Sequence, residues 1–78
     1  MTTVYTKNSC QPCRLTKMAF DRAGIQYEEI NLDDNPEALQ TIKELGYSSV
    51  PVVVDADSGA YWSGLRPDMI QKVIKNEQ

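Results

Sequence analysis

Apolar and polar positions along the chain change period several times, and each change marks an element. Thr2 to Thr6 is a run of β-branched and aromatic residues and reads as a first strand. From Gln11 to Ala23 the apolar positions recur at helical spacing, with Pro12 in the first turn, where its missing N–H costs nothing, and Gly24 as the stop. Ile25 to Leu32 returns to a strand of mixed pattern. Asn35-Pro36-Glu37 supplies an N-cap, a first-turn proline and a dipole-favoured acid; Ala38, Leu39, Ile42 and Leu45 follow at helical spacing before Gly46. Val50 to Val54 is a short buried strand, Asp55 to Gly59 a turn, and Ala60 to Ser63 the returning strand of a hairpin. Pro67-Asp68 opens a last helix with Met69, Ile70, Val73 and Ile74 on one side.

The order β-α-β-α-β-β-α predicts an α/β protein: a four-stranded sheet, part parallel and part antiparallel, flanked by three helices. That is the layout of a minimal thioredoxin fold. Seventy-eight residues predict one domain spanning 1–78, near the lower size at which a single core holds a fold. No apolar run approaches the roughly 20 residues of a membrane span, and the N-terminus carries no charged and apolar leader. A cytoplasmic protein with no membrane partner is expected.

Composition then removes further classes. The net charge is −3 and no Lys/Arg cluster breaks the acidic balance, which argues against a nucleic-acid partner. The charge is uneven: residues 1 to 27 hold Lys7, Arg14, Lys17 and Arg22 against Asp21, whereas residues 28 to 68 hold nine acids against Lys43 and Arg66.

The two cysteines, Cys10 and Cys13, lie in the basic segment with Gln11-Pro12 between them. On a helix, residues three apart have Cα atoms about 5 Å apart, inside the span a disulfide tolerates. In a reducing compartment such a pair is more often redox-active or metal-binding than a structural staple. At about 100° per residue, Leu15, Thr16, Ala19, Phe20 and Ala23 fall within an arc of about 140°, and Cys13 lies about 20° beyond Phe20. Cys13 is therefore expected to be buried. Cys10 falls on the opposite side, exposed, beside orphan helix N–H groups and the charges of Lys7, Arg14 and Lys17. Those surroundings favour a thiolate, so Cys10 is the candidate nucleophile and Cys13 the resolving thiol. The chain has no histidine, which excludes a Cys/His hydrolase. A metal site would need ligands from a second chain, because zinc takes four N or S donors. An inert pair and a cluster-bridged dimeric carrier stay open on residues alone.

Three segments together resemble one family. Tyr5-Thr6-Lys7 ahead of Cys10-Gln11-Pro12-Cys13, Ser49-Val50-Pro51, and Trp62-Ser63-Gly64-Leu65-Arg66-Pro67-Asp68 look like an NrdH-redoxin, over essentially the whole chain. The resemblance implies a glutaredoxin-like dithiol-disulfide oxidoreductase with no bound cofactor or metal, active as a monomer. Its implied partners are thioredoxin reductase, which reduces it with NADPH, and the large subunit of class Ib ribonucleotide reductase, to which it donates electrons. It further implies a cis Pro51 facing the cysteines, whereas sequence alone favours a trans proline at a strand start. A cis bond there would leave the Val50 backbone free to pair with an extended substrate.

Pro12, Val50, Pro51, Trp62, Ser63, Gly64 and Arg66 are the candidate partner-binding residues. Glutathione-using glutaredoxins usually carry Gly-Gly followed by acids where this chain has Ser63 to Asp68. Pro67 removes an N–H donor from that segment and Arg66 adds a charge, so weak glutathione binding is expected. A glutathione-dependent glutaredoxin is the alternative enzyme. Trp62 reads either as a core aromatic or as a partner contact, and Arg66 either as a cap on backbone carbonyls or as a partner's ligand. The chain has Leu65 where an aromatic is usual, and Gln11-Pro12 where Val-Gln or Met-Gln is frequent.

Overall fold

The computed structural model describes residues 1–77. Seven elements follow in order: β1 (Thr2–Thr6), α1 (Gln11–Arg22), β2 (Tyr27–Asn31), α2 (Ala38–Glu44), β3 (Val52–Asp55), β4 (Tyr61–Ser63) and α3 (Pro67–Glu77). The sheet order is β2-β1-β3-β4, with β1 parallel to β2 and antiparallel to β3, and β3 antiparallel to β4. This is the expected mixed sheet with three helices, the thioredoxin-like arrangement.

Strand alternation assigns the two faces. Val4 and Val53 turn to one side, where α1 and α3 cover them with Phe20, Ile70 and Val73, and Ile25 and Trp62 complete the cluster. Val52 turns to the other side against Leu32, Ala38 and Ile42 of α2 and the loop before it. Phe20, Val4, Val53 and Val73 are fully closed to solvent, each contributing about 1.5 to 3 kcal/mol by leaving water.

Element ends differ from the sequence pattern for identifiable reasons. β2 starts at Tyr27 rather than Ile25, because Gly24 takes φ 71° and the Ile25 N–H returns to the Phe20 carbonyl. α2 starts at Ala38 rather than at an Asn35 cap: the Asn35 amide donates backwards to the Asn31 carbonyl at 3.1 Å, so Asn35 to Glu37 form a turn. β3 begins at Val52 rather than Val50. Leu15 and Leu39, expected on apolar helix faces, are 38% and 39% exposed.

Asp55 departs furthest from expectation. Expected in a turn, it ends β3 and is wholly buried. It accepts from Thr2 Oγ1 at 3.1 Å, from Ser58 Oγ at 2.6 Å and from the N–H groups of Asp57 and Ser58. Burial alone would raise its carboxyl, but these donors outweigh it and hold it below the usual aspartate range.

Candidate active site

Strand register collects the cysteine loop and two others at one end of the sheet. Tyr5 lies opposite Val52, and Val52 opposite Ser63, so the segment after β1, the residues before β3 and those after β4 emerge together. The Val50-Pro51 bond is cis, and the Pro51 carbonyl accepts the Gly64 N–H at 2.8 Å. Gly64 sits at φ 88°, a backbone that a side chain would strain. Ser63 Oγ donates to the Ser49 carbonyl at 3.1 Å, tying the two loops together a second time.

Cys10 occupies the N-cap of α1 in extended conformation, placed there by Ser9 at φ 57°. Its sulfur accepts the Cys13 N–H at 3.2 Å, and its carbonyl accepts the Arg14 N–H at 3.1 Å. A helix terminus normally leaves such N–H groups without partners, so the sulfur receives the donor that would stabilise it as thiolate. The two cysteines form a disulfide with Cα atoms 5.3 Å apart. Cys13 is 1% exposed, on the helix face against the sheet. Cys10, expected to be exposed, is half-buried, because its sulfur folds back over the first turn as the cap.

A cavity of about 370 Å³ opens beside the disulfide. Cys10 and Cys13 line it together with Lys7, Arg14, Lys17, Glu29 and Asn31. Lys7 and Arg14 are thus placed in the same cavity as the sulfurs. Lys17 is not a free charge: its Nζ lies 2.9 Å from Glu29 Oε2, which also accepts Thr6 Oγ1 at 2.8 Å. Burial would raise the Glu29 carboxyl, but Lys17 and Thr6 together hold it below the usual range. The sequence pattern missed Glu29, since nothing in a strand of mixed pattern says which acid faces the cysteine helix; its parallel register with Val4 does.

Two further expectations are corrected. Trp62 is 2% exposed and packs with Val4, Phe20 and Val53, so it is a core residue and presents no surface to a partner. Strand alternation turns it inward, next to exposed Tyr61. Among the described residues Arg66 caps no backbone carbonyl: its Nε and Nη2 grip the two oxygens of Asp68 at 3.1 and 2.9 Å. Pro12 and Arg66 are exposed, Ser63 and Gly64 half-buried, and Pro51 buried. Val50 is half-buried at the edge of a second groove that Lys7, Leu39 and Ile42 also line.

One sulfur capping a helix and a second, buried three residues on and joined to it in a disulfide, at one end of a mixed four-stranded sheet, define a dithiol-disulfide oxidoreductase of thioredoxin fold. The glutaredoxin family model matches residues 2–57. The glutaredoxin-like protein NrdH of Escherichia coli strain K12 is 42% identical over 71 residues, covering 91% of this chain and 85% of that protein. The NrdH of Lactococcus lactis subsp. lactis is 36% identical over 73 residues, covering 94% and 99%. The solved structure of the E. coli NrdH-redoxin, described as glutaredoxin-like with a thioredoxin-like activity profile, superposes with a TM-score of 0.84 at 42% identity, covering 92% of each chain. The chain belongs to the glutaredoxin family and, within it, to the NrdH-redoxins.

Proposed function

We propose that this oxidoreductase carries electrons from NADPH, through thioredoxin reductase, to the large subunit of a class Ib ribonucleotide reductase, as a cytoplasmic monomer with no bound cofactor. The Cys10 thiolate attacks the acceptor's disulfide and forms a mixed disulfide, releasing one acceptor thiol. The Cys13 thiolate then attacks Cys10 Sγ, closing the intramolecular disulfide and releasing the second thiol. Two electrons leave the protein, and thioredoxin reductase restores them. The Val50 backbone lies outside the β3 ladder, which starts at Val52, and offers an extended acceptor segment a strand to pair with.

The observation that carries the choice of electron source is the Arg66–Asp68 pair. A glutathione-binding site needs a carboxylate and helix N–H groups in this segment for the γ-glutamyl end of the tripeptide. Here the Asp68 carboxylate is held by a guanidinium, and Pro67 opens α3 without an N–H. The thioredoxin-like activity described for the E. coli relative points the same way. The deciding assay couples the oxidised chain to NADPH and thioredoxin reductase, and separately to NADPH, glutathione reductase and glutathione. The first system is expected to turn over faster; faster turnover with glutathione overturns the reading.

A further inference from the structure

We propose that Glu29 sets the reactivity of the Cys10 thiol by binding Lys17, so that the cysteine cavity holds a neutralised pair instead of an extra positive charge. Four charged side chains line the cavity with the sulfurs: Lys7 from the loop after β1, Arg14 and Lys17 from α1, and Glu29 from β2. Asp33 adds a carboxylate at the rim, where it accepts at 2.7 Å the N–H of Asn8, itself a lining residue of the cavity, and no cation pairs with it among the described residues. From the β3 and β4 side come Val50-Pro51 and Ser63-Gly64, none of which titrates.

Lys17 therefore decides the balance. Unpaired, it would add a third cation to the two already favouring a thiolate. Paired at 2.9 Å, with the Thr6 hydroxyl fixing the same carboxylate oxygen from below, its charge is cancelled at short range. Thr6 is 1% exposed, which anchors the carboxylate against the sheet beneath α1. The functional meaning lies in the redox couple. Each cation that favours the thiolate stabilises the dithiol form, and a stabilised dithiol is a weaker reductant. Glu29 offsets one such cation and keeps the pair a willing donor. The inference rests on the dithiol chemistry and is independent of which reductase feeds the protein.

The test is the pH dependence of iodoacetamide alkylation of Cys10 in the reduced chain, which follows the thiolate fraction. Glu29→Gln should lower the midpoint by about half a unit to one unit, as expected of one partly screened charge across a cavity. Lys17→Met should raise it, the double variant should return close to the starting value, and Glu29→Asp should preserve it. The reduction potential should become less negative in Glu29→Gln. An unchanged or raised midpoint in Glu29→Gln overturns the proposal, as does a double variant that follows either single one. Should Glu29→Gln fold poorly by circular dichroism, the opposite shift in Lys17→Met carries the same decision, and no upward shift there is equally fatal. Failure here would leave the choice between thioredoxin reductase and glutathione untouched, because that assay compares electron sources at fixed thiol chemistry.

Discussion

The Thr2 hydroxyl donates to the Asp55 carboxylate across 3.1 Å, sealed from water, joining the first residue of β1 to the last of β3. Because the two strands run antiparallel with Thr2 opposite Asp55, this contact closes the end of the sheet remote from the cysteines. A charge in such a place is tolerable only while its donors stay in position.

Asp55→Ala should therefore destabilise the fold by about 2 to 3 kcal/mol, read from urea midpoints at constant slope. In the native chain the Asp55 carboxyl titrates below its unfolded value. Its stabilisation is thus complete above about pH 3.9, the unfolded aspartate value, and disappears as pH falls through the folded one. The acid limb of the stability curve should flatten in Asp55→Ala. An acid limb identical to the native one would show that Asp55 is not the titrating group.

At the alkaline end Tyr27 is the group to watch. Burial, then its hydrogen bond to Asp21 Oδ1, pushes the phenol up to about 12. The neutral form is the favoured one in the fold, so this stabilisation is present below about pH 10 and is lost as pH rises through the folded value. An ultraviolet titration should show a phenol ionising at about pH 12, and Tyr27→Phe should remove that step.

The division of labour between the thiols predicts opposite trapping behaviour. Cys13→Ser should attack a disulfide substrate and stall as a mixed disulfide, visible as an adduct by intact mass. Cys10→Ser should form no adduct and reduce turnover to background, since Cys13 is closed to solvent. An adduct on Cys13 in that variant would reverse the roles.

Trp62 supplies its own reporter, being the only tryptophan. Its indole should emit at short wavelength in the native state and shift to longer wavelength on unfolding. Trp62→Ala should cost about 3 to 5 kcal/mol through the cavity it leaves. Trp62→Phe should cost much less, because the buried Nε1 has no hydrogen-bond partner among the described residues to lose.

Releasing Asp68 should change the electron source. Arg66→Gln frees the carboxylate that Arg66 now grips, and glutathione-coupled turnover should rise several-fold relative to the thioredoxin reductase system. The melting temperature should barely move, since both partners are exposed and ion pairs in water contribute little. A coupling ratio unchanged from the native chain would assign the glutathione barrier to Pro67 instead.

The element order and the burial of Cys13 were legible in the sequence because both follow from periodicity, which local chain geometry enforces. Asp55 and Glu29 were not legible. Each owes its place to a partner strand: Thr2 lies 53 residues from Asp55 and Thr6 lies 23 from Glu29, and no periodicity encodes which residue stands opposite. Trp62 illustrates the intermediate case. Its membership of a family segment pointed outward, while alternation along β4 points it inward, and the fold follows alternation. Arg66 falls to neither of the roles its position suggests, because a carboxylate two residues on lies within reach of its guanidinium.

The 5.3 Å between the Cα atoms of Cys10 and Cys13 is the spacing a helix gives any residues three apart. The helix by itself thus holds the two sulfurs within bonding reach, so the disulfide can close without a second segment of chain being brought in to carry the partner thiol.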